Sequence, residues 1–138
     1  MPASRKCQII SAPNVASAFG GRVVSETAKT SGIGNPLCQF GVTGSNAGVP
    51  GNVSVTIDAS VSPAIFVKTK QQLAGAATVA GVGDAAFYLP GTATLHFLKG
   101  RNACVIEADF RRPHGMPLKP SQVQADSIAL ARAIAANL

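Results

Sequence analysis

Few side chains in this 138-residue chain could carry chemistry. The thiols stand at Cys7, Cys38 and Cys104, and the imidazoles at His96 and His114. A zinc site takes four ligands at short, recognisable spacings. These five residues form no C-x-x-C pair and match no finger, so no metal is expected. A disulfide is the better reading of the thiols. Cys7 lies just before the first expected helix and Cys38 in the second expected strand. Linking them would close a loop worth about 3–4 kcal/mol on the chain-entropy estimate. Cys104, beside Val105 and Ile106, reads as a small buried hydrophobe. As a nucleophile it would need a base, and His96 on the neighbouring strand is the candidate, with no local signature to support it.

Glu107 and Asp109 fall at i, i+2 on one strand face, a spacing that could pair two carboxylates for acid–base work. Such a pair is more often a solvated outer face opposite basic residues. Arg101, Arg111, Arg112 and His114 are candidate anion contacts at loop ends. Gly81-Val82-Gly83-Asp84-Ala85-Ala86 spells the G-x-G-x-x-A pattern of dinucleotide-binding loops. That loop must open a helix, and Phe87-Tyr88-Leu89-Pro90 reads as strand. A turn with glycines at positive φ and Asp84 bonded to local backbone is therefore expected. No G-x-S-x-G, H-E-x-x-H or P-loop pattern is present. No catalytic set and no cofactor is expected.

The elements that would position these groups are legible from local signals. Ser11 is the expected N-cap of a short helix with Pro13 in its first turn. Val15, Ala18 and Phe19 share one face, and Gly20-Gly21 stops it. Strands are expected at Arg22 to Thr27, Leu37 to Val42 and Val53 to Ile57, the last alternating cleanly. Ser62-Pro63 begins a second helix, with Ile65, Phe66, Thr69 and Leu73 at helical spacing and Gly75 closing it. Ala76 to Ala80 is ambiguous between loop and extended chain. Ala85 to Leu89, Thr92 to Lys99 and Ala103 to Phe110 are consecutive strands joined at hairpin length. Pro120-Ser121 opens a final helix running nearly to Leu138. Its stripe is Val123, Ser127, Leu130, Ala131, Ile134 and Leu138, with Gln122, Asp126 and Arg132 off it. The order α-β-β-β-α-β-β-β-α predicts an α+β domain over residues 1–138. Its antiparallel sheet would have about six strands, with helices packed on one side.

Composition narrows the function classes. Charged residues make up only 13% of the chain, about half the typical share, while apolar residues reach 46%. Fourteen Gly and nine Pro point to a turn-rich globular fold. Disordered tails, coiled coils and collagen-like rods are excluded. The net charge of +6 could favour an anionic polymer. The basic residues are scattered and not interleaved with aromatics, so nucleic acid is not the expected partner. No apolar run is long enough to span a membrane. Met1 to Lys6 does not read as a signal peptide. The chain is then expected to be a mature extracytoplasmic domain, or cytoplasmic if Met1 is the native start.

Several segments together carry a family resemblance. They are Cys7-Gln8-Ile9-Ile10-Ser11 leading into a helix that ends Ala18-Phe19-Gly20, then Cys38-Gln39-Phe40, and Val82-Gly83-Asp84-Ala85-Ala86-Phe87-Tyr88. Leu95-His96-Phe97-Leu98-Lys99-Gly100 and the terminal helix complete the set. The chain resembles the DUF3558-like group, small domains of unknown function in actinobacterial lipoproteins and cell-envelope proteins. The resemblance implies an exported domain, a Mog1/PsbP-like outline and a Cys7–Cys38 disulfide. It carries over no catalytic residue, and the chain departs from it in lacking a lipobox and in having a third cysteine. The expected function is a non-enzymatic envelope domain that binds a partner protein or a small apolar ligand. The alternatives are a Cys-dependent hydrolase or transferase using Cys104 and His96, and a binder of anionic polymer.

Overall fold

A computed structural model describes residues 7, 10–30, 35–110 and 120–138. Among them, three helices and seven strands follow in the order α1 (Ala12–Phe19), β1 (Arg22–Thr30), β2 (Pro36–Thr43), β3 (Gly51–Asp58), α2 (Pro63–Gln72), β4 (Ala77–Thr78), β5 (Ala85–Leu89), β6 (Thr94–Lys99), β7 (Asn102–Asp109) and α3 (Pro120–Ala135). The fold is α+β, with one antiparallel sheet ordered β1-β2-β3-β7-β6-β5-β4. Two meanders, β1-β2-β3 and β4-β5-β6-β7, meet where β3 pairs with β7. The seventh strand is β4, the two-residue extended piece inside the ambiguous Ala76 to Ala80 segment, paired to Phe87 and Tyr88 of β5.

Both early helices begin as the capping residues dictate. The Ser11 hydroxyl accepts the Asn14 backbone N–H at 3.3 Å, and the Ser62 hydroxyl accepts that of Ile65 at 3.2 Å. Gly20, at φ 69°, closes α1 in the left-handed conformation.

Strand alternation divides the sheet into two unlike faces. The inner face carries Cys38, Phe40, Val53, Val55, Ile57, Cys104, Ile106, Leu95, Phe97, Ala86 and Tyr88. All are buried against Val15 and Phe19 of α1 and Val123, Leu130, Ala131 and Ile134 of α3. The outer face carries Gln39, Ser54, Thr56, Glu107 and His96, and is mainly polar along β2, β3 and the second half of β7.

The expectation that all helices pack on one side needs correction. Phe66 of α2 joins Phe87 and Leu98, which point to the outer face, in a second small apolar cluster. The topology gives the reason. The chain leaves β3 at the middle of the sheet and must reach β4 at its edge. The inner face is already filled by α1 and α3, so the crossing takes the free face.

Candidate functional site

The inner face is not filled evenly. Toward the first turn of α3 a cavity of about 230 Å³ remains between helix and sheet, lined by Tyr88, Pro90, Ala93, Ala108, Phe110, Pro120, Ser121, Val123 and Gln124. Each wall has a local cause. The period-2 alternation of β5 turns Ala86 and Tyr88 inward and Phe87 and Leu89 outward. The β5–β6 connection, residues 90–93, is held by the Thr94 hydroxyl, 3.1 Å from the Thr92 carbonyl and 2.9 Å from the Thr92 hydroxyl. This turn leaves Ala93 at φ 49°, in the left-handed region, while its carbonyl accepts the Ala108 backbone N–H at 3.2 Å. Phe110, just past β7, stacks on Phe19 of α1 with ring centroids 5.3 Å apart. That seat is open because residue 51 is glycine; a Cβ there would overlap the Phe110 ring and the Asp109 carbonyl. Val123 supplies the helix wall, and Ser121 and Gln124 the more exposed rim.

Tyr88 gives the cavity its chemistry. The residue is 2% exposed, yet its hydroxyl has no hydrogen-bond partner among the described residues. No fully sealed side-chain oxygen or nitrogen among those residues lacks a partner, so the hydroxyl opens onto the cavity its side chain lines. Burial pushes the phenol above its ordinary range, keeping it a protonated donor at neutral pH. Among the described residues, no charged side chain lines the walls. A wider apolar groove lies on the other side of the same turn, between Leu73–Gly75 and Leu89–Thr92. Its lining is exposed or half-buried, and it lacks comparable walls.

The residues singled out from the sequence distribute as follows. Cys7 and Cys38 are joined in a buried disulfide, Cα atoms 5.6 Å apart, which removes both as metal ligands or nucleophiles. Cys104 and His96 do not meet. Cys104 pairs across β6–β7 with Phe97 and points to the inner core, whereas His96 pairs with Val105 and points outward. Burial also drives the Cys104 thiol far above its ordinary range, the opposite of what a thiolate nucleophile needs. Glu107 and Asp109 are exposed on the outer face, opposite Ser54, Thr94 and Asn52 rather than opposite basic residues.

In the glycine-rich segment, Gly81 and Gly83 have φ of 77° and 53° and no helix follows. The Asp84 carboxylate reaches beyond local backbone, accepting the Gly100 N–H of the β6–β7 turn at 2.7 Å. Arg101 is exposed at that turn, while Arg111, Arg112 and His114 lie outside the described residues.

Two features escaped the sequence reading. One is the lining of the cavity, assembled from a strand, a turn, a strand end and a helix that lie far apart in the chain. The other is Asp126, expected off the buried stripe of α3 but only 5% exposed. Its carboxylate accepts from Gln122 Nε2 at 2.8 Å and from Asn46 Nδ2 at 3.3 Å, tying α3 to the β2–β3 loop.

No protein-family model, curated protein or solved structure matches the chain. Among the described residues, no helix is long and apolar enough to cross a membrane.

Proposed function

We propose that this chain is an extracytoplasmic binding domain that takes a small apolar ligand into the cavity between β5–β7 and α3. The carrying observation is the cavity itself: about 230 Å³, walled by Tyr88, Ala108, Phe110 and Val123, with no charged side chain among the described residues of its lining. Binding sites of this kind lie between packed layers and combine apolar walls with a few placed polar groups. Apolar cavities of about 150 Å³ take up benzene, so this one suits a molecule somewhat larger than a single ring. The buried Cys7–Cys38 disulfide supports placement outside the cytoplasm, because such bonds persist in oxidising compartments. The same features agree with membership of the DUF3558-like envelope group that the chain resembles.

Ala108 lies on the cavity wall and is 4% exposed, so Ala108→Leu fills the space from a rigid strand. Titrating the oxidised protein with isopropenylbenzene should give saturable NMR shifts of the Ala93, Ala108 and Val123 methyl groups. In the Ala108→Leu variant the Ala93 and Val123 shifts should be lost. Absence of saturable shifts in the wild type would overturn the reading, as would equal binding by the filled variant.

A further inference from the structure

Tyr88 is not a natural choice for an apolar wall. A phenylalanine would close the same space without a hydroxyl, whereas the tyrosine leaves a polar group that only a molecule entering the cavity can satisfy. The Tyr88 residue is 98% buried, its hydroxyl is unpartnered among the described residues, and it opens onto the cavity. A phenol is a strong hydrogen-bond donor and a weak acceptor, because its oxygen lone pair is shared with the ring. The group that completes it is therefore an acceptor. Among the described residues, the lining holds neither a cation to neutralise a bound anion nor a carboxylate to neutralise a bound cation. A charged ligand group there would be desolvated without compensation.

We infer that the ligand is a neutral, otherwise apolar small molecule with one carbonyl-type oxygen, and that the Tyr88 hydroxyl donates to that oxygen inside the cavity. This rests on the cavity reading given above and adds the class of molecule it takes. The apolar body lies against Ala93, Ala108, Phe110 and Val123, while Tyr88 fixes its orientation. The site then prefers a ketone, ester or amide over a hydrocarbon of the same shape, because only the former satisfies the phenol.

The test is a cycle of two probes and two proteins. Acetophenone and isopropenylbenzene have nearly the same shape and differ in carrying C=O or C=CH₂ at one position. Tyr88→Phe removes the hydroxyl and leaves the ring. Wild-type protein should bind both probes, and Tyr88→Phe should weaken acetophenone about three- to tenfold while leaving isopropenylbenzene unchanged. Independently of the variant, the carbonyl stretch of acetophenone bound to wild-type protein should be red-shifted from its position in hydrocarbon solvent. If Tyr88→Phe weakens both probes equally or neither, or if the carbonyl stretch stays at its hydrocarbon position, the Tyr88 inference falls and the cavity reading stands. If neither probe binds the wild type, both fall together.

Discussion

His96 sits on the outer face of β6 with its ring stacked on that of Phe87, centroids 4.6 Å apart and planes 11° from parallel. Phe87 and Val105 flank it on the neighbouring strands, and the nearest carboxylate on this face of β7 is the exposed Glu107. Burial lowers the imidazole below its ordinary 6.5. In the unfolded chain the imidazole takes up a proton near pH 6.5, while the folded protein resists until lower pH. The neutral stacked ring therefore contributes stability that is intact above about pH 6.5 and lost as pH falls toward the lowered folded value. Taking the protein from pH 7.5 to 5 should reduce its urea midpoint more than it reduces that of His96→Gln. Equal losses would show that His96 titrates alike in both states.

Asp126 poses a different problem at the same scale. Its position, three after Val123 and four before Leu130, lies within the buried band, and its residue type alone argued it outward. What retains it is Asn46, 80 positions away in a loop, a partner that no local pattern displays. Asp126→Ala should cost about 1–3 kcal/mol. Asn46→Ala should cost less, and the double variant less than the sum, since each single change already removes their shared bond. Strict additivity in denaturant titrations would rule that bond out as a contributor.

Local signals recovered the elements best where one residue settles the backbone. Ser11 and Ser62 fix two helix starts, Gly20 ends α1, and the alternation of Val53, Val55 and Ile57 marks β3. They failed where the answer lay in what an element packs against. The helical spacing of Ile65, Phe66, Thr69 and Leu73 marks the helix but not which of them the sheet buries. In the fold Phe66 is 5% exposed and Ile65 54%. The helix buries one ring against the sheet, set 5.3 Å from Phe87, with Leu73 at its end packed on the same cluster and Lys70 donating to the Thr78 hydroxyl of β4, because it crosses an outer face that offers only a small apolar patch. That patch also explains Leu98, which alternates with Leu95 and Phe97 as a polar residue would and is buried all the same. Phe66→Ala should therefore cost about 3–4 kcal/mol, near the low end for a buried Phe because the cluster is small. Ile65→Ala should change stability by less than about 0.5 kcal/mol. Comparable losses in the two variants would mean that α2 lies on the sheet through a broader face than Phe66 alone.

For the molecule as a whole, the disulfide joins chain segments that the strand order would otherwise leave to packing alone. Cys7 precedes α1, and Cys38 lies mid-strand in β2 opposite Ala28 and Val55, so the bond pins the start of the chain to the half of the sheet farthest from β5 and β6. The pairing was expected because Cys104, between apolar strand residues, reads as a buried hydrophobe and because the family resemblance implies Cys7–Cys38. The position of β7 between β3 and β6 was not, since nothing local to β3 shows that its second neighbour is the last strand. The bond closes 31 positions of sequence, and its loss should cost about 3–4 kcal/mol through the freed unfolded chain. For a domain of this size that is a fall of about 10 °C in Tm. Adding reductant should produce this fall in the wild type, and no fall in a Cys7→Ser/Cys38→Ser variant already melting at the lower temperature. Alkylation should then report one thiol in the unfolded oxidised chain, Cys104, and three after reduction. If the wild type melted at the same temperature with and without reductant, the bond would be idle in the fold, and the argument from the disulfide to an oxidising compartment would go with it. The predicted fall instead makes that compartment a condition of the fold's stability, because a thiol-reducing cytosol would hold the chain in its weaker form.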